Sequence, residues 1–179
     1  MKKLDLEVIQ KSKGQYIIHL GRGSLVFKSH AKAVAYLTKY RRVLKDSVEM
    51  LNVIQPQINA LYRQNILMLD EDTQRAISFE LKAFDERFDY IFKSFSPGNK
   101  NAMVFSNIQN CFDSLESCLS LLYHFSKVHK VYSLKATCRP LLKNLEGVNN
   151  QFLKDKHSLE VIEGYVKEVK VQPLKKHVS

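Results

Sequence analysis

From residue 29 onward, apolar side chains recur in alternating steps of three and four residues, which is the spacing of one face of an α-helix. Four segments carry such a stripe, and each is long enough for a helix of roughly 40–50 Å at 1.5 Å per residue. Because the segments are matched in length and their connections are short, the helices can pack side by side in alternating directions. The sequence therefore predicts a mainly α-helical protein built as an antiparallel four-helix bundle.

The first two helices have recognisable ends. The first stripe predicts a helix over about residues 30–63, with Ser29 as its N-cap. Pro56 falls within it and has no amide hydrogen to donate, so we expect a kink or a break there. Asp70 begins the acidic start of the second helix, which ends at the Ser-Pro-Gly-Asn sequence of residues 96–99.

The last two helices are predicted with less definite ends. The third stripe covers residues 104–125 and is broad enough to contact more than one neighbouring helix. The fourth predicts a helix from Ser133, and we expect Pro140 to kink its first turns. Residues 157–171 fit a continuation of this helix, but Tyr165–Val171 also fit the period of two of a strand.

Apolar and charged residues alternate near the start of the chain, which is the period of a half-buried β-strand. Gly14 supplies a turn, and β-forming residues follow it at positions 16–20. This pattern predicts a small N-terminal β-hairpin over residues 1–28. A further apolar run at 25–27 would add a third strand and make a three-stranded meander.

Length and composition suit one domain with one core. The chain has 179 residues, of which 45% are hydrophobic. We therefore expect a single domain over residues 1–171, in which residues 29–171 form the helical bundle. The final segment, 172–179, is short and basic, and we expect it to be disordered.

Several features favour a cytoplasmic location. No apolar run approaches the roughly 20 residues that cross a bilayer, and residues 1–7 do not have the continuous apolar stretch of a secretory signal. The three cysteines, Cys111, Cys118 and Cys138, are odd in number and lie at apolar helical positions. We expect them to be reduced thiols in the core of a cytoplasmic protein without a membrane partner.

Candidate catalytic and metal-binding features have simpler structural explanations. Residues 21–24, Gly-Arg-Gly-Ser, resemble part of a phosphate-binding loop, but an apolar run follows them instead of a Gly-Lys-Ser/Thr sequence and a helix. The Glu-x-x-His motifs of a di-iron bundle are missing, and His124 fits a helix residue better than a ligand. We therefore expect no enzymatic activity, cofactor, metal or small-molecule substrate.

The net charge of +10 raises the expectation of an anionic partner such as nucleic acid. Cations on the first helix lie mainly opposite its apolar stripe, near Tyr36 and Tyr40, and could meet phosphates while the rings stack on unpaired bases. The alternative is a solvated face, with both rings packed against the edge of the core. The predicted nucleic-acid-binding residues, including those of the hairpin turn, are Lys11, Lys13, Arg22, Lys28, Lys32, Lys39, Arg41, Arg42 and Lys45.

The second and third helices carry apolar side chains beside their main stripes. Surplus apolar surface usually marks a partner surface or a homodimer, although the hairpin and the end of the last helix could instead cover it. The predicted partner-binding residues are Phe79, Phe92, Phe105, Phe112 and Leu121.

These patterns favour a non-enzymatic interaction module that binds a protein partner, or a second copy of itself, through a helical face. The alternative function is a nucleic-acid-binding accessory protein that uses the first helix and the hairpin turn. Bundles host unrelated functions, so the fold class does not choose between the two.

Overall fold

The computed structural model describes residues 9–12, 14–20, 23–94 and 104–164. Within these residues a small sheet precedes four long helices that pack against one another. This confirms the predicted fold class, a mainly α-helical antiparallel four-helix bundle with a small N-terminal β-hairpin. The elements are β1 (Ile9–Ser12), β2 (Gln15–Leu20), β3 (Gly23–Phe27), α1 (His30–Asn65), a 3-10 turn (Ile66–Met68), α2 (Glu71–Ser94), α3 (Val104–Val128) and α4 (Tyr132–Gly164).

The sheet is a meander in which β2 pairs antiparallel with both β1 and β3. Gly14 precedes β2 with a φ of +77°, a left-handed conformation that glycine adopts without steric cost. Ile18 pairs with Leu25, and both are buried together with Phe27. The ring of Phe27 lies 5.5 Å from that of Tyr36 on α1. The sheet is therefore packed against the helical core.

Both helical prolines lie inside continuous helices, so the expected break at Pro56 does not occur. Pro56 leaves the carbonyl of Asn52 without its usual helical donor. Pro56 and Asn52 are both exposed, so water can reach that carbonyl. Pro140 is likewise exposed, and α4 continues through it. Each proline is tolerated because it faces solvent.

The helix starts agree with the sequence prediction, but only α2 has the predicted side-chain cap, and its predicted end at residues 96–99 lies outside the described residues. Asp70 caps α2, because the amide and the hydroxyl of Thr73 each donate to its carboxylate at 2.8 Å. Ser29 precedes α1 but makes no capping bond through its side chain. The predicted cap Ser133 lies inside α4, which begins at Tyr132.

The sequence leaves open whether residues 157–171 are helix or strand, and the structure settles the first part of this segment. The segment 157–164 is helical. The alternative strand at Tyr165–Val171 and the predicted disordered tail at 172–179 lie outside the described residues.

Helix α3 lies at the centre of the packing and contacts all three other helices. Cys111 Sγ lies 4.0 Å from the carbonyl oxygen of Phe84 on α2, and Cys118 Sγ lies 3.8 Å from that of Ile77. Burial raises the pKa of both thiols to about 12 and that of Cys138 to about 11. All three cysteines are free and buried, which confirms their predicted place in the core. The buried apolar side chains of α3 are Val104, Ile108, Cys111, Phe112, Leu115, Cys118, Leu119, Leu122 and Phe125.

An aromatic cluster joins α1 to the other helices. The ring of Tyr40 lies 6.1 Å from that of Tyr36 and 4.9 Å from that of Phe105 on α3. The hydroxyl of Tyr36 donates to Oε1 of Glu163 in the last turn of α4. Burial raises the pKa of both tyrosines, and the charge of Glu163 adds to this effect. The pKa of Tyr40 rises to about 12.

Substitution of one buried and one exposed phenylalanine tests how much core packing contributes to stability. Phe112 is 0% exposed, whereas Phe79 is 70% exposed. We predict that Phe112→Ala lowers the free energy of unfolding by about 3–5 kcal/mol, because it leaves a cavity among packed helices. The matched control Phe79→Ala should change it by no more than about 0.5 kcal/mol. Urea unfolding of both variants measures the difference, and equal losses would contradict the packing.

The buried tyrosines predict a loss of stability at alkaline pH. Their pKa is raised above the ordinary value of 10.0, so the unfolded state releases these protons first as the pH rises. The contribution of Tyr40 is complete below about pH 10 and is lost between about pH 10 and 12, and that of Tyr36 also begins to fall above about pH 10. Urea unfolding at a series of pH values measures this decline, to which the buried thiols also contribute.

The contribution of Tyr40 is isolated by substitution. Tyr40→Phe removes one titrating hydroxyl, so it should make the alkaline decline less steep. Tyr132 is 73% exposed, so Tyr132→Phe should leave the slope unchanged. Equal slopes in the wild type and in Tyr40→Phe would contradict this account of Tyr40.

Candidate interaction surfaces

Two cations of the predicted basic face on α1 have acidic neighbours. Arg42 Nη2 lies 4.0 Å from Asp155 Oδ1 on α4. Lys45 Nζ lies 3.7 Å from Glu49 Oε1, one turn further along α1. Such exposed pairs add little to stability, but the acids reduce the positive potential that a phosphate would meet.

The other predicted cations are spread over three kinds of position. Those on α1 and just before it are at least partly accessible, whereas those of the hairpin turn are not described in side-chain detail. Lys28, Lys32 and Arg41 are exposed, Lys39 is half-buried, Lys11 is described only by its backbone in β1, and Lys13 and Arg22 lie outside the described residues.

The two tyrosines expected beside the basic face are not available for stacking on bases. Tyr36 is 1% exposed and lies in the core. Tyr40 is half-buried and packs edge-on against Phe105. Of the two alternatives for these rings, stacking on bases and packing against the core, the structure shows the second, because both rings pack between elements of the bundle.

Most of the predicted partner-binding side chains belong to the core. Phe112 is fully buried, and its ring lies 5.5 Å from that of Phe152 on α4. Phe105 and Leu121 are half-buried and pack against the same core. Phe112 is therefore corrected to a core residue, because the broad stripe of α3 is covered by its neighbours, whereas Phe105 and Leu121 keep part of their surface exposed. Phe79 is exposed on the outer side of α2, and the side chain of Phe92 lies outside the described residues.

A different set of apolar side chains is exposed at one end of the bundle. Leu67 and Met68 lie on the α1–α2 connection and are 97% and 51% exposed. Val128 ends α3 and Tyr132 begins α4, and they are 59% and 73% exposed. In an antiparallel bundle both connections lie at the same end. We call these four residues the connection end.

An electrostatic interaction also links the two connections. The pKa of Asp70 lies below its usual value mainly because of the hydrogen bonds from Thr73, and the nearby imidazole of His129 adds to this effect. Asp70 precedes α2, and His129 follows α3. The two connections are therefore close enough for their charges to interact.

The α1–α2 connection is held rigidly by its own polar groups. Gln74 Nε2 donates to the carbonyl oxygens of Ile66 and Leu69, at 2.9 and 2.8 Å. The hydroxyl of Tyr62 lies 2.8 Å from that of Ser78. Tyr62, Ile66, Gln74 and Ser78 are among the residues that line an open groove of about 590 Å³ between α1 and α2. The polar groups in this groove hydrogen-bond to one another and to the backbone, and these bonds hold the connection in place.

The α3–α4 connection has an unusual residue at a helix end. The amide of Val131 donates to the carbonyl of Ser126 at 2.9 Å, which is the closing bond of a Schellman motif. Lys130 occupies the left-handed position of this motif, with a φ of +56°. Glycine is usual there because a side chain raises the conformational energy. A lysine is therefore held at the surface in a strained conformation.

The sequence predicts where the connection end lies but not which of its apolar side chains are exposed. Its helix boundaries are visible at Asp70 and around residues 127–132, and the antiparallel topology brings these boundaries together. The exposure of Leu67 and Met68 follows from the 3-10 turn, which interrupts the helical spacing. A helical projection continued through that turn does not show it.

Comparisons with known proteins add no relative. No protein-family model matches the chain, and neither a curated protein nor a solved structure matches it. Across residues 9–12, 14–20, 23–94 and 104–164, no helix has the length and apolar character needed to cross a membrane. In the same part of the chain, no three His, Cys, Asp or Glu side chains are grouped to hold a metal ion.

The strain at Lys130 can be measured. Lys130→Gly should raise the free energy of unfolding by up to about 1 kcal/mol, because glycine adopts the left-handed conformation without steric cost. Lys127→Gly replaces a lysine in the helical last turn of α3 and should lower it by about 0.5–1 kcal/mol. Thermal and urea unfolding distinguish these outcomes. Equal destabilisation by both changes would contradict the assigned conformation of Lys130.

Proposed function

We propose that this chain is a non-enzymatic interaction module that binds a protein partner, or another copy of itself, through the connection end. The observation that carries the proposal is the exposure of four large apolar side chains on two adjacent connections. Apolar groups exposed together on one surface are typical of protein-binding sites. The other exposed large apolar residues in the described part of the chain are distributed over its helices, which is ordinary for a protein surface.

Rigid presentation also supports this proposal. The cap at Asp70 and the bonds of Gln74 hold one connection, and the Schellman motif holds the other. A surface that is ordered before binding loses less conformational entropy when a partner docks. The connection end therefore meets two requirements of a binding surface, exposed apolar area and prior order.

The chemistry of the cysteines supports a non-catalytic role and a cytoplasmic location. Burial raises the pKa of all three thiols far above neutrality, so they are protonated and poorly suited to act as nucleophiles. All three are free, which suits a reducing compartment. We accordingly propose a cytoplasmic protein whose cysteines contribute packing.

The alternative of nucleic-acid binding through α1 has less support. The rings of Tyr36 and Tyr40 are packed within the bundle, and Arg42 and Lys45 have acidic neighbours. What supports it is the charge of accessible cations such as Lys32, which attracts phosphates without reading bases. The proposed protein-binding role is therefore preferred.

Site-specific photo-crosslinking tests the proposed function in the producing cell. A benzophenone amino acid at Leu67 should give a discrete adduct of higher mass, containing a second protein chain. The same group at Val53, which is 54% exposed on α1, is the matched control and should give none. Failure to crosslink at both Leu67 and Tyr132, or identical adducts at Val53, would contradict the proposal. An adduct with nucleic acid at Lys32 alone would favour the alternative.

A further inference from the structure

The connection end consists of two halves that each carry a pair of exposed apolar side chains. Leu67 and Met68 form one half, on the α1–α2 connection. Val128 and Tyr132 form the other half, on the α3–α4 connection. Each half therefore offers two large exposed apolar side chains that can contact the apolar pair of a second copy.

The two halves differ in charge. Beside Leu67 and Met68, the start of α2 carries three exposed carboxylates, on Asp70, Glu71 and Asp72. Arg75 offsets part of this charge, because its Nη2 lies 2.7 Å from Asp72 Oδ1 and 3.9 Å from Glu71 Oε2.

Cations accompany the other half. Lys127 and Lys130 are exposed beside Val128, and His129 is exposed between them. No carboxylate in the described part of the chain lies within 4.0 Å of either lysine. The nearest interaction of Lys127 is with the ring of Tyr123, whose centroid lies 5.7 Å from Nζ. This half is therefore positive and its charge is available to a partner.

We propose, on the basis of the proposed function, that the connection end binds the connection end of a second copy of this chain about a two-fold axis. When the axis passes between the two halves and is perpendicular to the line that joins them, the acidic half of each copy lies opposite the basic half of the other. The apolar pairs then meet near the axis, and the opposite charges meet on both sides of it. A surface with this arrangement is self-complementary, which is what an isologous dimer requires.

The strained backbone at Lys130 fits the same arrangement. Glycine would relieve the strain at this position, but it would remove a cation from the basic half. In the dimer that cation faces the carboxylates at the start of the partner's α2. The dimer thus gives the charge of Lys130 an attractive contact with carboxylates, which the isolated chain does not provide.

Charge reversal in two complementary variants tests the pairing. Lys127→Glu with Lys130→Glu makes both halves acidic, and Glu71→Lys with Asp72→Lys makes both halves basic. Asp70 is left unchanged because it caps α2. In sedimentation equilibrium the wild type should reach twice the chain mass of 20.8 kDa. Each variant alone should dissociate with a constant raised about tenfold or more, because like charges then face each other.

Mixing the two variants is the decisive step. An equimolar mixture should recover the dimer mass, since an acidic connection end then faces a basic one. High salt should weaken this heterodimer by screening its exposed charges. The control Lys143→Glu with Lys154→Glu reverses two exposed charges on the outer side of α4 and should leave the dimer intact. Circular dichroism and thermal unfolding establish that every variant is folded.

Each other outcome overturns the inference. A wild type that stays at 20.8 kDa at all concentrations excludes the dimer, and variants that dimerise as well as the wild type place the contact elsewhere. Two monomeric variants that do not associate when mixed exclude the two-fold arrangement. A monomeric wild type that crosslinks through Leu67 to a different protein removes the dimer but leaves the proposed function in place. A monomer that gives no crosslink removes both.

Discussion

The apolar stripe of helix α3 is wider than one neighbouring helix can cover, so its burial requires several elements to pack around it. Its apolar side chains Ile108, Leu115 and Leu122 are fully buried, and the helix contacts α1, α2 and α4. Burial at this scale supplies most of the favourable free energy of folding. The lengths and directions of the other helices follow from the need to cover α3. The small sheet packs Ile18 and Phe27 on the same core.

The connection end is a consequence of that arrangement. Antiparallel helices around α3 bring both short connections to one end, and each connection must satisfy the unpaired backbone groups of its helix ends. Acids favour the start of a helix and cations favour its end. The acidic start of α2, at Asp70 and Glu71, and the basic end of α3, at Lys127 and Lys130, therefore lie at the same end of the bundle with opposite charge. A surface with separated charges and exposed apolar groups thus forms where the core requires the chain to turn.

The sequence predicts the helices well because their apolar spacing is local. It misses the role of Phe112, since the width of a stripe does not tell which neighbour covers it. A break at Pro56 is one of the two predicted outcomes, and it does not occur because Pro56 faces solvent, where water can replace the lost backbone bond. The helical pattern does not predict the exposure of Leu67, because Leu67 lies in a 3-10 turn that interrupts the helical spacing. The burial of these side chains depends on contacts between residues distant in sequence, and the local apolar spacing carries no information about such contacts.

The central claim is that α3 and its neighbours close one dry core, leaving the connection end as the surface available to a partner. The three core cysteines report on this directly, because a thiol-specific reagent reacts only with accessible, ionised thiols. Titration of the native protein near neutral pH should show no prompt reaction, followed by reaction of all three thiols on unfolding in guanidinium. Prompt reaction of Cys111 or Cys118 in the native protein would contradict the account, since it would place the inner face of α3 in water.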